Sequence, residues 1–174
     1  ISGNTASRGG GLFSIIWDDG FPIVRSTNTT IYANNGGGIF SSVSNENLQN
    51  TIVAGNTGSA GDISGTIETA NYNLIGNASS SGGITNGVNG NIVGVDPLLG
   101  PLQDNGGTSR THELLAGSPV IDKGSNRLTS PLVPPFDQRG SGFARIRDGN
   151  GDGIPTVDIG AFEVQSGASG FRTS

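Results

Sequence analysis

No cysteine and no methionine occur among the 174 residues, and histidine and tryptophan occur once each. Without cysteine there is no disulfide framework, thiolate metal site or cysteine nucleophile. The lone His112 excludes a histidine-cluster zinc site and most histidine-paired catalysis. Charge is scarce: nine Lys and Arg stand against fourteen Asp and Glu, for a net −5. That balance leaves no basic footprint for nucleic acid. The apolar runs are only a few residues long, so no segment reads as a membrane span. Ile1 opens the chain with neither a Met nor a signal peptide, which reads as a mature or trimmed segment of something larger.

What is abundant is glycine, at 31 residues. Glycine is costly inside helices, which weakens any reading as a helical bundle or doubly wound enzyme. Short apolar runs recur between Asn, Gly, Ser and Thr: Thr30-Ile31-Tyr32, Gly38-Ile39-Phe40, Thr51-Ile52-Val53-Ala54, Asn73-Leu74-Ile75 and Asn91-Ile92-Val93. Each has the length and β-branched bias of a strand bounded by turn formers. No stretch sustains a helical period, so the chain reads as all-β.

The runs repeat. Ile1-Ser2-Gly3-Asn4 with Gly9-Gly10-Gly11-Leu12-Phe13 parallels Ile31-Tyr32-Ala33-Asn34 with Gly36-Gly37-Gly38-Ile39-Phe40, and Val53-Ala54-Gly55-Asn56 begins a looser third copy. Thr30-Ile31 and Thr51-Ile52 are 21 residues apart, and the first two glycine triplets 27. A coil in the low twenties with two or three short strands predicts a parallel β-helix over residues 1–95. Corners that need positive φ select Gly and Asn. Asn4, Asn34 or Asn35, and Asn56 would then stack their amides in a ladder. Residues 96–165, richer in proline and charge, read as terminal coils and a cap over the open end of the solenoid. Residues 166–174 read as a flexible tail or linker stub.

Tyr72-Asn73-Leu74-Ile75-Gly76 and Gly94-Val95-Asp96-Pro97-Leu98-Leu99-Gly100-Pro101 are followed by Thr111-His112-Glu113-Leu114-Leu115-Ala116-Gly117-Ser118-Pro119. Asp137-Gln138-Arg139-Gly140 and Asp158-Ile159-Gly160-Ala161-Phe162-Glu163 complete the series. In this order the motifs resemble the C-terminal region of bacterial right-handed parallel β-helix surface proteins that carry a choice-of-anchor Q domain. The upstream glycine-triplet repeats are similar to those of polymorphic outer-membrane proteins. The resemblance implies a bacterial-type extracellular or cell-surface location and a right-handed β-helix, and leaves activity open.

Asp148-Gly149-Asn150-Gly151-Asp152-Gly153 has oxygen donors at alternate positions and then a glycine, the first half of a Ca²⁺ loop, with Asp158 beyond it. No Glu stands at the twelfth position, and the same dipeptides also suit tight turns. Asp148, Asn150, Asp152 and Asp158 are the metal-ligand candidates, and Ca²⁺ is the cofactor they would take. Asp137, Arg139, Arg145, Arg147, Asp158 and Glu163 suit a glycan-binding or catalytic cluster, or ion pairs that fix the cap. Trp17 and Phe21 beside Asp18-Asp19 suit a sugar platform or packing against the solenoid. His112 is assigned to packing or hydrogen bonding.

The function read from these features is a non-enzymatic surface or matrix module, a stalk or adhesin. Its open first coil would contact protein, either further coils or subunits of its own kind. A homopolymeric filament is one alternative, and a polysaccharide lyase or hydrolase another. The enzyme reading has few charged residues to use over the first 95: Arg8, Asp18, Asp19, Arg25, Glu46, Asp62 and Glu68.

Overall fold

The computed structural model describes residues 1–15, 24–42, 46–129 and 135–165. The chain is nearly all-β and winds into a solenoid of about three turns. Coil one contains β1 (Leu12–Ser14), β2 (Val24–Thr27) and β3 (Thr30–Tyr32). Coil two repeats them as β4 (Ile39–Ser41), β5 (Glu46–Gln49) and β6 (Ile52–Ala54). Coil three has β7 (Ile63–Ser64), β8 (Thr69–Asn71) and β9 (Leu74–Ile75), and β10 (Ile92–Val93) is the last strand of a fourth. Equivalent strands pair in parallel, giving three sheets ordered β1-β4-β7, β2-β5-β8 and β3-β6-β9-β10.

The register pairs Thr30 with Ile52, Ile31 with Val53 and Tyr32 with Ala54, a step of 22 residues. The 21-residue spacing of the Thr-Ile dipeptides is therefore one residue out of register. Ile31 and Val53 both point into the core, whereas Ile52 belongs to the opposite face. A shift of one would have exchanged the two faces of the strand. In the first coil Thr5 bridges Asn35 while Leu12 pairs with Ile39, so three additional residues are looped out between these pairs.

Inside the coils Ile31, Ile39, Leu48, Val53, Ile63 and Ile75 stack with Ile67 and Ile84. Burying one such side chain contributes about 1.5–3 kcal/mol. Ile84 lies between the short 3₁₀ turns Ala78–Ser80 and Val88–Gly90, so residues of the fourth coil take part in the core at that end.

The corners are built from left-handed residues in register. Asn28 (φ 50°), Asn50 (φ 47°), Tyr72 (φ 55°) and Gly90 (φ 73°) form one such column. Asparagine reaches this region at low cost because its short polar side chain bonds locally.

Residues 96–165 cover apolar surface on a flank of the solenoid. Leu114, Val120, Ile159 and Phe162 pack against Ile52, Ala54 and Leu74, which lie on the outer face of the β3-β6-β9-β10 sheet. The Gly160 N–H donates to the Asn50 carbonyl at 2.8 Å, and the Ala161 N–H to Thr30 Oγ1 at 3.0 Å. No further parallel coil forms among the described residues of this region. Its strands β11 (Leu99–Gln103) and β12 (Thr111–Leu114) instead make an antiparallel pair, irregular between Leu99 and Leu102. Pro101, which lacks an N–H, sits in that irregularity, where a proline is tolerated. A sheet buried on both faces requires apolar side chains at consecutive positions, and β6, β9 and β10 supply them.

Candidate functional site

The polar residues converge at three places. The first is an amide ladder along one corner. Asn34 Oδ1 accepts Asn4 Nδ2–H at 2.9 Å and the Asn4 backbone N–H at 3.1 Å. Asn56 Oδ1 accepts the same pair from Asn34, at 2.9 and 3.0 Å. The ladder expected from sequence is therefore formed, through Asn34 and not Asn35. A second ladder, absent from the sequence reading, links the Asn73 amide to Asn91 Oδ1 at 3.0 Å, while Asn73 Oδ1 accepts the Thr51 N–H.

The second place is the C-terminal cluster, where four carboxylates are joined head to tail. Asp137 Oδ2 accepts the Glu163 N–H, Glu163 Oε2 the Asp158 N–H, and Asp158 Oδ1 the Asp122 N–H, at 2.9, 3.0 and 2.7 Å. Asp122 in turn accepts the Gly149 and Asn150 N–H groups. Asp122 carries no motif that marks it in the sequence; in the structure it stands out as a non-glycine at positive φ (54°).

The cations of this cluster face main chain and aromatic rings. Arg139 pairs with Asp137 at 2.6 Å, donates to the Glu163 carbonyl, and lies between the Phe143 and Phe162 rings, 3.9 and 3.8 Å from their centroids. A planar guanidinium combines a fork of donors with two stacking faces. Arg145 donates to the Gly160 and Ala161 carbonyls. Burial lowers the pKa of Arg145, opposed by Glu163, Asp137 and Asp158. Burial pushes Asp158 up to about 6 and Glu163 up to about 9, the latter helped by the Asp158 charge. The cluster is thus a scaffold that ties the chain at 122, 137, 149 and 163 together. Its carboxylate oxygens are already engaged by N–H donors.

The third place is the loop at Asp148. Asp148 accepts the N–H groups of Gly151, Asp152 and Gly153, Asn150 that of Asp152, and Asp152 that of Ile154. Asp148, Asn150 and Asp152 thus share one solvent-facing turn, with Ile154 65% exposed beside it. Asp158 is not brought into this turn. It is fully buried, its second oxygen accepting the Val164 N–H, and it reaches the loop only through Asp122. Among the described residues no group of three or more His, Asp or Glu is arranged to hold a metal ion.

The remaining candidates are dispersed. His112 sits between the Gly100 carbonyl and Ser2 Oγ and meets Tyr32 edge-on, consistent with a packing role. Glu46 faces into the coil near Ser14 and Ser41; burial raises its pKa, and those hydroxyls oppose the shift. Asp62 is consumed by the first ladder. Trp17, Asp18, Asp19, Phe21 and the 166–174 tail lie outside the described residues. Comparison with protein-family models, curated proteins and solved structures finds no significant match.

Proposed function

We propose that the chain is a non-enzymatic structural or adhesin-like module of a bacterial-type extracellular or cell-surface protein, joined end to end to further coils or subunits through its first coil. The observation that carries this reading is the open edge at the first coil. β1 and β2 are the edge strands of their sheets, each paired on one side only among the described residues. At the far end the fourth coil inserts Ile84 into the core. An edge with unpaired N–H and C=O groups is a template for another strand, and a heterologous contact of that kind extends without closing.

The use of polar groups fits the same role. Ladder amides, carboxylates and arginines are spent on main-chain bonds that stiffen the coil and its flank, which suits a mechanical part. Within this reading the Asp148 turn takes Ca²⁺ through Asp148, Asn150 and Asp152, with Asp158 and Asp122 holding the loop in place from behind. Negative-stain imaging of the native material tests the proposal. Rods or fibres continuing from the first coil are expected, and isolated globules at high concentration would overturn it.

A further inference from the structure

We propose that the cavity beside Asn28 binds an extended peptide segment of another protein chain, by a grip the molecule already uses on itself one coil away. Asn50 holds the Ser125 peptide by two bonds: Ser125 N–H donates to Asn50 Oδ1 at 2.9 Å, and Asn50 Nδ2–H donates to the Ser125 carbonyl at 3.1 Å. Asn28 is the residue in register with Asn50, and its N–H donates to the Gln49 carbonyl at 3.0 Å. The two share a left-handed backbone, φ 50° and 47°, so the same side chain is presented at the same corner.

The difference is the partner. Asn28 is only 8% exposed, and among the described residues neither its Oδ1 nor its Nδ2 has a hydrogen-bond partner. A buried polar atom left unpaired is costly, so two on one side chain need a reason. Asn28 lines a cavity of about 430 Å³ with Thr27, Thr30, Phe136, Arg145 and Ala161. Arg145 brings a third unpaired atom, the buried Nε, its terminal nitrogens being held by Gly160 and Ala161. One acceptor and two donors complement a peptide N–H, its carbonyl, and a second carbonyl along the strand. The volume falls within the range of small-ligand sites. This site goes beyond the end-to-end stacking proposed above and stands without it.

A random heptapeptide library displayed on phage, panned against the whole chain, supplies the test, with chitotriose as an N-acetylated glycan arm. Enriched peptides are expected to lose at least tenfold in affinity for Asn28→Gly, which tolerates the left-handed backbone and melts no lower than the parent. Asn28→Asp, which keeps the acceptors and removes the donor, is expected to lose affinity as well, should the glycine variant fail to fold. Three results would overturn the proposal: no peptide enriched above background, binding indifferent to both substitutions, or Asn28-dependent capture of chitotriose with no peptide bound.

Discussion

Asp62 Oδ1 accepts the Asn56 side-chain N–H at 3.0 Å and the Asn56 backbone N–H at 3.1 Å, occupying the place that the next asparagine of the ladder would take. An asparagine there would bring its own amide hydrogens and need a further acceptor. A carboxylate brings none. Its other oxygen instead accepts the Asn77 N–H at 2.7 Å. The aspartate therefore ends the ladder with every donor above it satisfied. Asp62→Asn, nearly isosteric, turns an amide against the Asn77 N–H and leaves a buried donor unpaired. A loss of about 1–3 kcal/mol is expected. Urea denaturation checks it, and unchanged stability would show that the charge at 62 is incidental.

Gly160 packs directly against the coils. It has φ 111°, and an added Cβ would lie 2.8 Å from Ile52 Cδ1 and 2.9 Å from Thr30 Oγ1. Gly160→Ala is expected to strain the backbone and to push 159–162 off the sheet, at a cost of about 2–4 kcal/mol in overpacking and lost burial. Amide exchange is expected to rise first in 157–163 and at Ile52, whose outer face loses its cover. Exchange confined to residue 160 would count against the flank as a stabilising layer.

How much of this was legible in the sequence depends on which interaction fixed each part. The coil was legible because its signals are local: Asn34 and Asn56 recur with the same neighbours, and in-register corners select the same residue types. The flank was not, because its packing joins positions far apart in the chain, such as Ile159 with Ile52. One clue was present. Ile52-Val53-Ala54, Leu74-Ile75 and Ile92-Val93 are apolar at consecutive positions, whereas Glu46-Asn47-Leu48-Gln49 has a single apolar residue. A strand apolar on both faces requires a cover on its outer side, and that requirement points to the flank. At the candidate site, Asp137, Asp158 and Glu163 were identified as a group. A role in fixing the C-terminal region was among the readings these residues offered, but the backbone donors that engage them carry no residue-type signature, so the N–H network itself is visible only in the structure.

The Asp158–Glu163 pair makes stability depend on pH. Both are raised in the folded chain, to about 6 and about 9, from ordinary values of 3.8 and 4.5. A carboxyl raised on folding binds its proton more tightly in the native state. Its contribution is fully present below the unfolded value and is lost as pH rises through the folded one. Stability is therefore expected to fall between pH 4 and 6 through both groups, and from 6 to 9 through Glu163 alone. The limiting slope is about 1.4 kcal/mol per pH unit for each group. Arg145 and the Arg147 and Asp158 N–H donors oppose the fall without reversing it. Glu163→Gln is expected to flatten the profile between pH 6 and 9 and to halve the slope below 6, where Asp158 alone remains. Stability that instead rises toward pH 9 would mean that the N–H donors, and not burial, dominate at this pair.

Calcium at the Asp148 turn is separable from that titration, because the turn is exposed and its three oxygen-bearing side chains already point into one loop. A divalent cation bound only by the native state raises the melting temperature in proportion to the logarithm of its concentration over Kd. With a weak extracellular-type site, a shift of a few degrees is expected between chelator and about 10 mM Ca²⁺. Asp148→Asn removes one charge while keeping an oxygen for the Gly151 and Asp152 N–H groups, and is expected to abolish most of the shift. The control is Asp158→Asn. Since Asp158 meets the loop only through Asp122, that variant is expected to lower stability with and without Ca²⁺ alike while leaving the shift in place. Equal melting of the parent in Ca²⁺ and in excess chelator would reduce the Asp148 loop to a pair of tight turns.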